Sequence, residues 1–323
     1  MRILRYLVAA AILVAILLFI GSVSGNQPRR DAVAAAEKEL GIELDSRRVD
    51  LGNVTLHVVL AGPADGPPVI LLHGFPEFWY AWYRQIGLLA QAGFRVIVPD
   101  QRGYNDSDKP HGIEAYKVEE LARDIANMTE TLGYDSANVA AHDWGGGVAW
   151  QLAIRNPNRV RKLVIFETPH PLASRDFPSK EEKVSWYRTF FQIPRLPEWA
   201  ARLGNWYVQA RMLRDTARAG AFPDEKLDLY RSAWDNDGAM SSMINWYRAA
   251  FRFPFSQDGE QRVSVPTLVV VAPDDAFIPS DLTRASAKYL DNGRLLELDA
   301  GTHWVLQEDP QGTSRILIDF FSG

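Results

Sequence analysis

The chain of 323 residues contains no cysteine. That excludes disulfides, thiolate nucleophiles and cysteine-ligated metals, and it leaves the redox compartment unmarked. Positive charge is not in surplus either: 35 Lys and Arg stand against 40 Asp and Glu, a net charge of −5. Such a balance gives no basic footprint for nucleic acid. No low-complexity tract and no internal repeat is present, so linker-like and solenoid architectures fall away. Long apolar runs are missing too, with one exception. Residues 6–20 are almost unbroken apolar, preceded by Arg2 and Arg5 and followed by Gly21-Ser22-Val23-Ser24-Gly25.

Residues 1–25 therefore read as a signal-anchor helix or a cleavable secretory signal. The run lies near the lower length limit for spanning a bilayer, and Ser22-Val23-Ser24 offers a small-x-small cleavage site. The arginines on its N-terminal side would hold that end in the cytoplasm and send the rest of the chain across. The expected location is a membrane, through one N-terminal helix; the alternative is secretion or periplasmic release after cleavage. Aromatic residues are abundant, with 10 Trp and 15 Phe. They favour a large apolar pocket or a well-packed lid.

Beyond a polar linker and short helix over residues 26–41, with Asp31 as N-cap and Gly41 as stop, the chain alternates. Strands are expected over 42–49, 54–60, 69–72, 94–98, 138–141 and 160–166, the first two joined as a hairpin through Leu51-Gly52-Asn53. Helices are expected over 79–91, 118–132 and 146–155. Short, wholly apolar runs such as 69–72 fill central parallel strands, and this rhythm calls for a mostly parallel sheet with helices on both faces. The rhythm breaks at about residue 169. As far as residue 256 the chain carries helical stretches rich in Trp, Tyr and Arg, read as a helical cap inserted into the sheet domain. Residues 257–323 resume the alternation, with strands over 267–272 and 294–298 and helices over 281–290 and 311–321. The core is thus expected to comprise residues 42–168 and 257–323.

Chemistry concentrates in the stretch 139–149, Val-Ala-Ala-His-Asp-Trp-Gly-Gly-Gly-Val-Ala. Ala141, Asp143 and Gly145 have the spacing small-x-nucleophile-x-small of a tight strand-to-helix turn, where neighbouring main chain comes close. Asp143 would face the crevice at the carboxyl ends of the strands, with a helix N-terminus behind it. A carboxylate is ionised at neutral pH and needs no base to attack an sp3 carbon. It leaves an ester, and the cleavage of that ester by water does need a base. His303, just past the last expected strand, is the candidate, because the chain order nucleophile–acid–histidine puts the base there. His73 and His142 sit beside tight turns and are read as braces. Asp275 is the first choice for the carboxylate that orients His303; Glu167 and Asp274 remain rivals. Main-chain N–H groups of Phe75 and Trp144 are the expected donors to an oxyanion. The Phe75–Pro76 bond, in His73-Gly74-Phe75-Pro76, is a candidate cis peptide.

The segments HGFPEFWYAW, PDQRGYNDSDKP, AHDWGG, WYRTFFQIPRLPE, NWYR and GTHWVLQEDP together resemble the epoxide hydrolases of the α/β-hydrolase superfamily, over residue 42 to the C-terminus. The resemblance implies an α/β-hydrolase fold with an inserted helical cap and no metal or cofactor. It implies that a lipophilic epoxide becomes a vicinal diol through an Asp143 ester cleaved by His303-activated water. It also implies two cap tyrosines that donate to the epoxide oxygen. The motifs put these at Tyr187 and Tyr247. Opening the ring develops charge on a poor leaving group, so an acid opposite the nucleophile is physically required. Phe78, Trp79, Phe277 and Trp304 are expected to line the pocket. In one departure, Glu167 stands where the family often has Asn, either paired with His170 or competing as the orienting acid. The alternatives are a haloalkane or haloacid dehalogenase using the same Asp–His pair, and a membrane-tethered binding protein without catalysis. Against the first, Phe75 offers no side-chain donor to a halide, and Gly146-Gly147 stand where a haloacid enzyme would want arginines.

Overall fold

Eight short strands pair into one sheet: β1 (Asp45–Asp50), β2 (Thr55–Ala61), β3 (Pro68–Leu72), β4 (Arg95–Pro99), β5 (Ala137–His142), β6 (Val160–Phe166), β7 (Thr267–Val271) and β8 (Gly293–Glu297). Their order in space is β1-β2-β4-β3-β5-β6-β7-β8. Only β1–β2 and β2–β4 pair antiparallel; the remaining pairs are parallel. The computed structural model of the chain describes residues 29–177, 179, 183, 185–255 and 261–323. The expected membrane segment, residues 1–25, lies outside them. Among the described residues no helix is long and apolar enough to cross a membrane.

The apolar runs fix which strands are central. Every residue of β3, β5 and β7 is buried. Each Val, Leu or Ile so buried contributes roughly 1.5–3 kcal/mol. The outer strand β1 is exposed except at Val49 and carries Asp45, Arg47, Arg48 and Asp50 along its free edge, which blunts further strand addition. Right-handed crossovers then decide the layers. The step from β3 to β4 runs one way along the sheet and the steps from β4 to β5 and β5 to β6 run the other way. The helix Tyr83–Gln91 therefore lies on the opposite face from Val118–Thr131 and Trp144–Arg155. The closing helix Pro310–Ser322 packs against Tyr83–Gln91, and Val118–Thr131 packs against Trp144–Arg155.

Between β6 and β7 the described residues form helices Pro171–Asp176, Trp186–Phe190, Leu196–Thr216, Asp224–Trp234 and Ala239–Arg252, and no strand. We assign this insertion as the cap. Buried indole N–H groups fasten it to the sheet domain: Trp234 Nε1 donates to the Pro76 carbonyl at 2.5 Å and Trp246 Nε1 to the Arg102 carbonyl at 3.0 Å. Trp304 Nε1 donates back to Thr216 Oγ1 at 2.8 Å.

Two of the expected helices are divided in the structure. Residues 79–91 are a 3-10 turn, Trp79–Trp82, followed by the helix Tyr83–Gln91. Residues 281–290 divide in the same way into Ser280–Ala285 and the 3-10 turn Ser286–Tyr289. In the cap, Leu196–Thr216 is broken at Leu203–Trp206, where Gly204, Asn205 and Trp206 turn to positive φ. The short helix before the sheet is as expected: Asp31 Oδ1 accepts from the N–H groups of Val33 and Ala34, and Gly41 closes the helix at φ 67°.

Candidate active site

At the carboxyl end of β5 the chain reverses into the helix Trp144–Arg155 within one residue. Asp143, at that reversal, has φ 49° and ψ −123°, a conformation a side-chain-bearing residue holds only under strain. Close approach explains the glycines around it. A Cβ on Gly145 would lie 2.5 Å from the Leu72 carbonyl oxygen, and one on Gly74 would lie 2.5 Å from Asp143 Cβ. Thr168 Oγ1 donates to the Asp143 carbonyl at 2.8 Å and braces the turn from β6. The Phe75–Pro76 peptide is cis, as expected.

The carboxylate of Asp143 meets its expected neighbours. Phe75 N–H donates to Oδ1 at 2.8 Å, and His303 Nε2 lies 3.6 Å from Oδ2. Trp144 N–H is the first of the helix and has no partner within it. His303 Nδ1 donates to Asp275 Oδ2 at 2.7 Å, while Asp275 Oδ1 accepts from the N–H groups of Phe277 at 2.7 Å and Ile278 at 2.9 Å. Of the three candidate carboxylates, only Asp275 reaches His303. Asp274 points outward, 3.8 Å from Arg218. Glu167 is fully buried at the end of β6, and its Oε1 accepts from Ala272 N–H at 2.5 Å. The suggested pairing of Glu167 with His170 does not occur. His170 instead accepts from Leu172 N–H through Nδ1 and stacks on Tyr289.

Burial and charge tune this cluster. Burial would lower the pKa of His303, but the Asp275 charge and hydrogen bond, then Asp143 and Glu77, outweigh it and raise the ring to about 9. Burial alone would raise Asp275; the His303 charge and hydrogen bond and the two backbone donors hold it below the usual carboxylate range. Glu167 moves the other way, pushed well up by burial and by the Asp275 charge. Two adjacent buried carboxyls do not both ionise readily, and the one paired with histidine keeps the charge.

A cavity of about 350 Å³ opens above Asp143 and His303. Phe75, Tyr187, Tyr247, Phe277 and Trp304 line it, with Phe191 and Met212 from the cap. Among the described residues that line it, only Asp143 and His303 carry formal charge. The two tyrosine rings meet edge to face at 5.8 Å, and Tyr247 lies edge-on to Trp144 and Phe75. Burial raises both phenols, Tyr247 the more strongly, so they stand protonated as donors.

Two expected pocket residues lie elsewhere. Phe78 and Trp79 line a separate cavity of about 520 Å³ beside Arg29, His57 and Ser232. The 3-10 turn that begins at Trp79 carries both away from the catalytic cavity: Phe78 packs on Tyr230, and Trp79 N–H donates to Asp100. His73 and His142 are braces, as read. His73 Nε2 accepts from Gln101 N–H at 3.1 Å, and His142 Nε2 donates to the His303 carbonyl at 2.7 Å. Sequence reasoning missed Glu77, which is buried and accepts from Tyr230 and Gln307, with His142 Nδ1 3.5 Å from its other oxygen. It missed Gln209 too, a polar side chain in the cavity wall.

Comparison with known proteins agrees with the fold. Residues 67–310 match the family described as alpha/beta hydrolase fold. The chain is similar to the AB hydrolase superfamily protein YfhM of Bacillus subtilis, 37% identical over 276 residues, covering 84% of this chain and 96% of that protein. It is similar to epoxide hydrolase 1 of Caenorhabditis elegans, 35% identical over 290 residues, covering 86% and 70%. Among solved structures, a Bacillus megaterium epoxide hydrolase in complex with an inhibitor superposes with a TM-score of 0.75 at 28% identity, covering 86% of this chain and 100% of that one.

Proposed function

The chain belongs to the α/β-hydrolase family and is a hydrolase of the epoxide hydrolase type, and from that premise we propose that it converts a lipophilic epoxide to a vicinal diol through a covalent ester on Asp143. The observation that carries the reading is that two protonated phenols, Tyr187 and Tyr247, share one apolar cavity with the Asp143 carboxylate. A carboxylate nucleophile alone serves several leaving groups; paired phenol donors suit one that leaves as oxygen.

Asp143 Oδ1 is held by the Phe75 N–H, so Oδ2 is the attacking oxygen. It forms a bond to an epoxide carbon as that carbon's bond to the ring oxygen breaks. The oxygen takes a proton from one tyrosine while the other donates a hydrogen bond. Alkylation removes the negative charge that faced His303. The ring, still oriented by Asp275, then gives its resting proton to the tyrosinate and accepts one from water through Nε2. The hydroxide adds to the Asp143 carboxyl carbon, and the resulting oxyanion on Oδ1 meets the N–H groups of Phe75 and Trp144. Collapse breaks the bond between that carbon and Oδ2. The departing alkoxide takes the proton of the added hydroxyl, so the diol leaves with Oδ2, the oxygen from water remains on the Asp143 carboxylate, and His303 is again protonated as in the resting state. No metal or cofactor enters these steps. Residues 1–25 are proposed to hold the enzyme at a membrane, where lipophilic epoxides partition.

The test is His303→Gln incubated with a simple aryl or alkyl epoxide. Intact mass should rise by the mass of the epoxide, and peptide mapping should put the adduct on Asp143. No adduct with any epoxide, together with transfer of an alkyl group from a haloalkane, would overturn the reading in favour of dehalogenation.

A further inference from the structure

We propose that the outer face of the cap docks on an anionic lipid bilayer and that the lipophilic substrate enters the catalytic cavity directly from the membrane. This rests on the epoxide hydrolase reading for its substrate, but not for the docking itself.

Of the seven large apolar side chains exposed among the described residues, six, Leu196 among them, gather on one part of the chain, and the seventh, Phe251, lies on the helix Ala239–Arg252. Trp186 is 68% exposed, Ile193 44%, Trp199 45%, Tyr207 55% and Val208 56%. All belong to the two cap stretches over residues 186–208. Such an accumulation is unusual on a surface facing only water. Trp186 and Val208 also line the cavity above Asp143, so the apolar ring is the rim of the cavity mouth. Tryptophan and tyrosine are the side chains that settle at the bilayer–water interface, with an apolar ring and a polar N–H or O–H.

Charge selects the occupant. Residues 186–202 contain Arg188, Arg195 and Arg202 against the single acid Glu198, in a chain whose net charge is −5; Arg211, further along, pairs with Asp215 at 2.8 Å. Glu198 is taken up by the mostly buried Arg248 at 2.6 Å, and Arg188, Arg195 and Arg202 are exposed. A positive collar around an apolar rim fits anionic headgroups over acyl chains. The start of the described chain agrees: Arg30 N–H donates to Ser232 Oγ at 2.8 Å and its guanidinium pairs with Asp228. Both partners lie on the cap helix Asp224–Trp234, which packs against Leu196–Thr216. The described chain therefore begins against the cap.

The test uses the full chain reconstituted in vesicles, because the N-terminal segment alone could hold the protein there. Leu196→Ser/Trp199→Ser alters the rim without touching a residue that lines the cavity. It should lower kcat/KM about tenfold toward an epoxide delivered in phosphatidylcholine/phosphatidylglycerol vesicles, and leave kcat/KM toward a water-soluble epoxide unchanged. Arg195→Glu/Arg202→Glu should abolish the rate gain from phosphatidylglycerol over phosphatidylcholine alone. Brominated lipids should quench tryptophan emission in the wild type and less in Trp199→Ser. Equal loss toward both epoxides, no loss toward either, or unchanged quenching would overturn the proposal. So would a Trp199→Ser change from dimer to monomer with quenching intact, since the face would then join two copies. A chain that turns over no epoxide yet shows the quenching difference would sink the epoxide reading and keep the docking.

Discussion

The charge on His303 makes a prediction about stability that can be read without any substrate. In the resting protein its pKa stands near 9, above the ordinary value of 6.5, because Asp275 and Asp143 together outweigh burial. A histidine whose folded pKa is raised stabilises the fold fully below its unfolded pKa, and that contribution is lost as pH rises through the folded pKa. The ring is fully buried, so solvent screening takes nothing off, and a rise from 6.5 to about 9 corresponds to about 3 kcal/mol. Between pH 6 and pH 9.5 the stability difference between the wild type and His303→Gln should therefore shrink by about 3 kcal/mol, with a steepest slope of about 1.2 kcal/mol per pH unit. Glutamine can still donate to Asp275 but does not titrate. Urea unfolding at closely spaced pH values measures the difference directly. Parallel pH profiles for the two proteins would refute the claim that the resting enzyme holds His303 as a cation. The same electrostatics has a kinetic side. Once Asp143 is esterified, one of the charges that raises His303 is gone, so ester hydrolysis in single-turnover experiments should rise with an apparent pKa below 9. Hydrolysis that rises only through 9 would mean that the Asp143 charge plays no part.

Tyr247→Phe should slow ring opening by about 10²-fold or more while leaving ester hydrolysis nearly unchanged, measured by single-turnover tryptophan fluorescence; equal slowing of both steps would count against its role as acid. Glu167→Gln should leave turnover nearly intact, since a buried carboxyl with a raised pKa already resembles an amide. Because such a carboxyl costs stability above its unfolded pKa, the variant should gain in Tm relative to the wild type as pH rises from 5 to 8; a loss of turnover at all pH values would show that the ionised form is needed. Gln209 is buried in the cavity wall, and its Oε1 has no hydrogen-bond partner among the described residues. Gln209→Leu should lower kcat/KM by about tenfold for epoxides that carry a hydroxyl or amide away from the ring, and raise it for plain hydrocarbons; parallel changes for both classes would exclude Gln209 as a polar contact.

The sheet was legible because each central strand is a short, wholly apolar run bounded by turn residues. The nucleophile turn was legible because close backbone approach forces small residues at 141 and 145. His303 followed from chain order. The orienting acid was not decided, since Glu167, Asp274 and Asp275 all follow strands that end on the same edge. Local chain direction decides it. The N–H groups of Phe277 and Ile278 turn the Asp275 carboxylate toward His303, while its neighbour Asp274 is directed to Arg218. Phe78 and Trp79 were misjudged because nearness in sequence to His73-Gly74-Phe75-Pro76 was taken for nearness in space. Only the 3-10 turn, a local backbone choice, separates them from the cavity. The break at Leu203–Trp206 had a weak signal in Gly204-Asn205, residues that tolerate positive φ, but periodicity alone did not distinguish a break from a surface turn. Glu77 left no signal, since its partners come from three distant segments.

The arrangement of the cap explains how an inserted domain can place an acid accurately over a nucleophile that belongs to the sheet. Three consecutive residues share the task. Trp246 fastens the helix Ala239–Arg252 to the Arg102 carbonyl of the sheet domain. Tyr247 then presents its ring to Trp144, which follows the nucleophile, and to Phe75, whose N–H donates to the Asp143 carboxylate. Arg248 turns the other way and donates to the carbonyls of Phe191 and Ile193 while pairing with Glu198. The segment that Arg248 ties down begins one residue after the helix that carries Tyr187. Both donors are thus registered to one turn of one helix, and that turn is registered to the sheet. Tyr247 is held directly and Tyr187 through the Arg248 contacts and the aromatic edges of Phe191 and Phe277. A perturbation of the 186–191 segment should therefore reach ring opening through Tyr187 and leave the Asp275–His303 pair, carried on the far side of the cavity by the sheet, to cleave the ester as before.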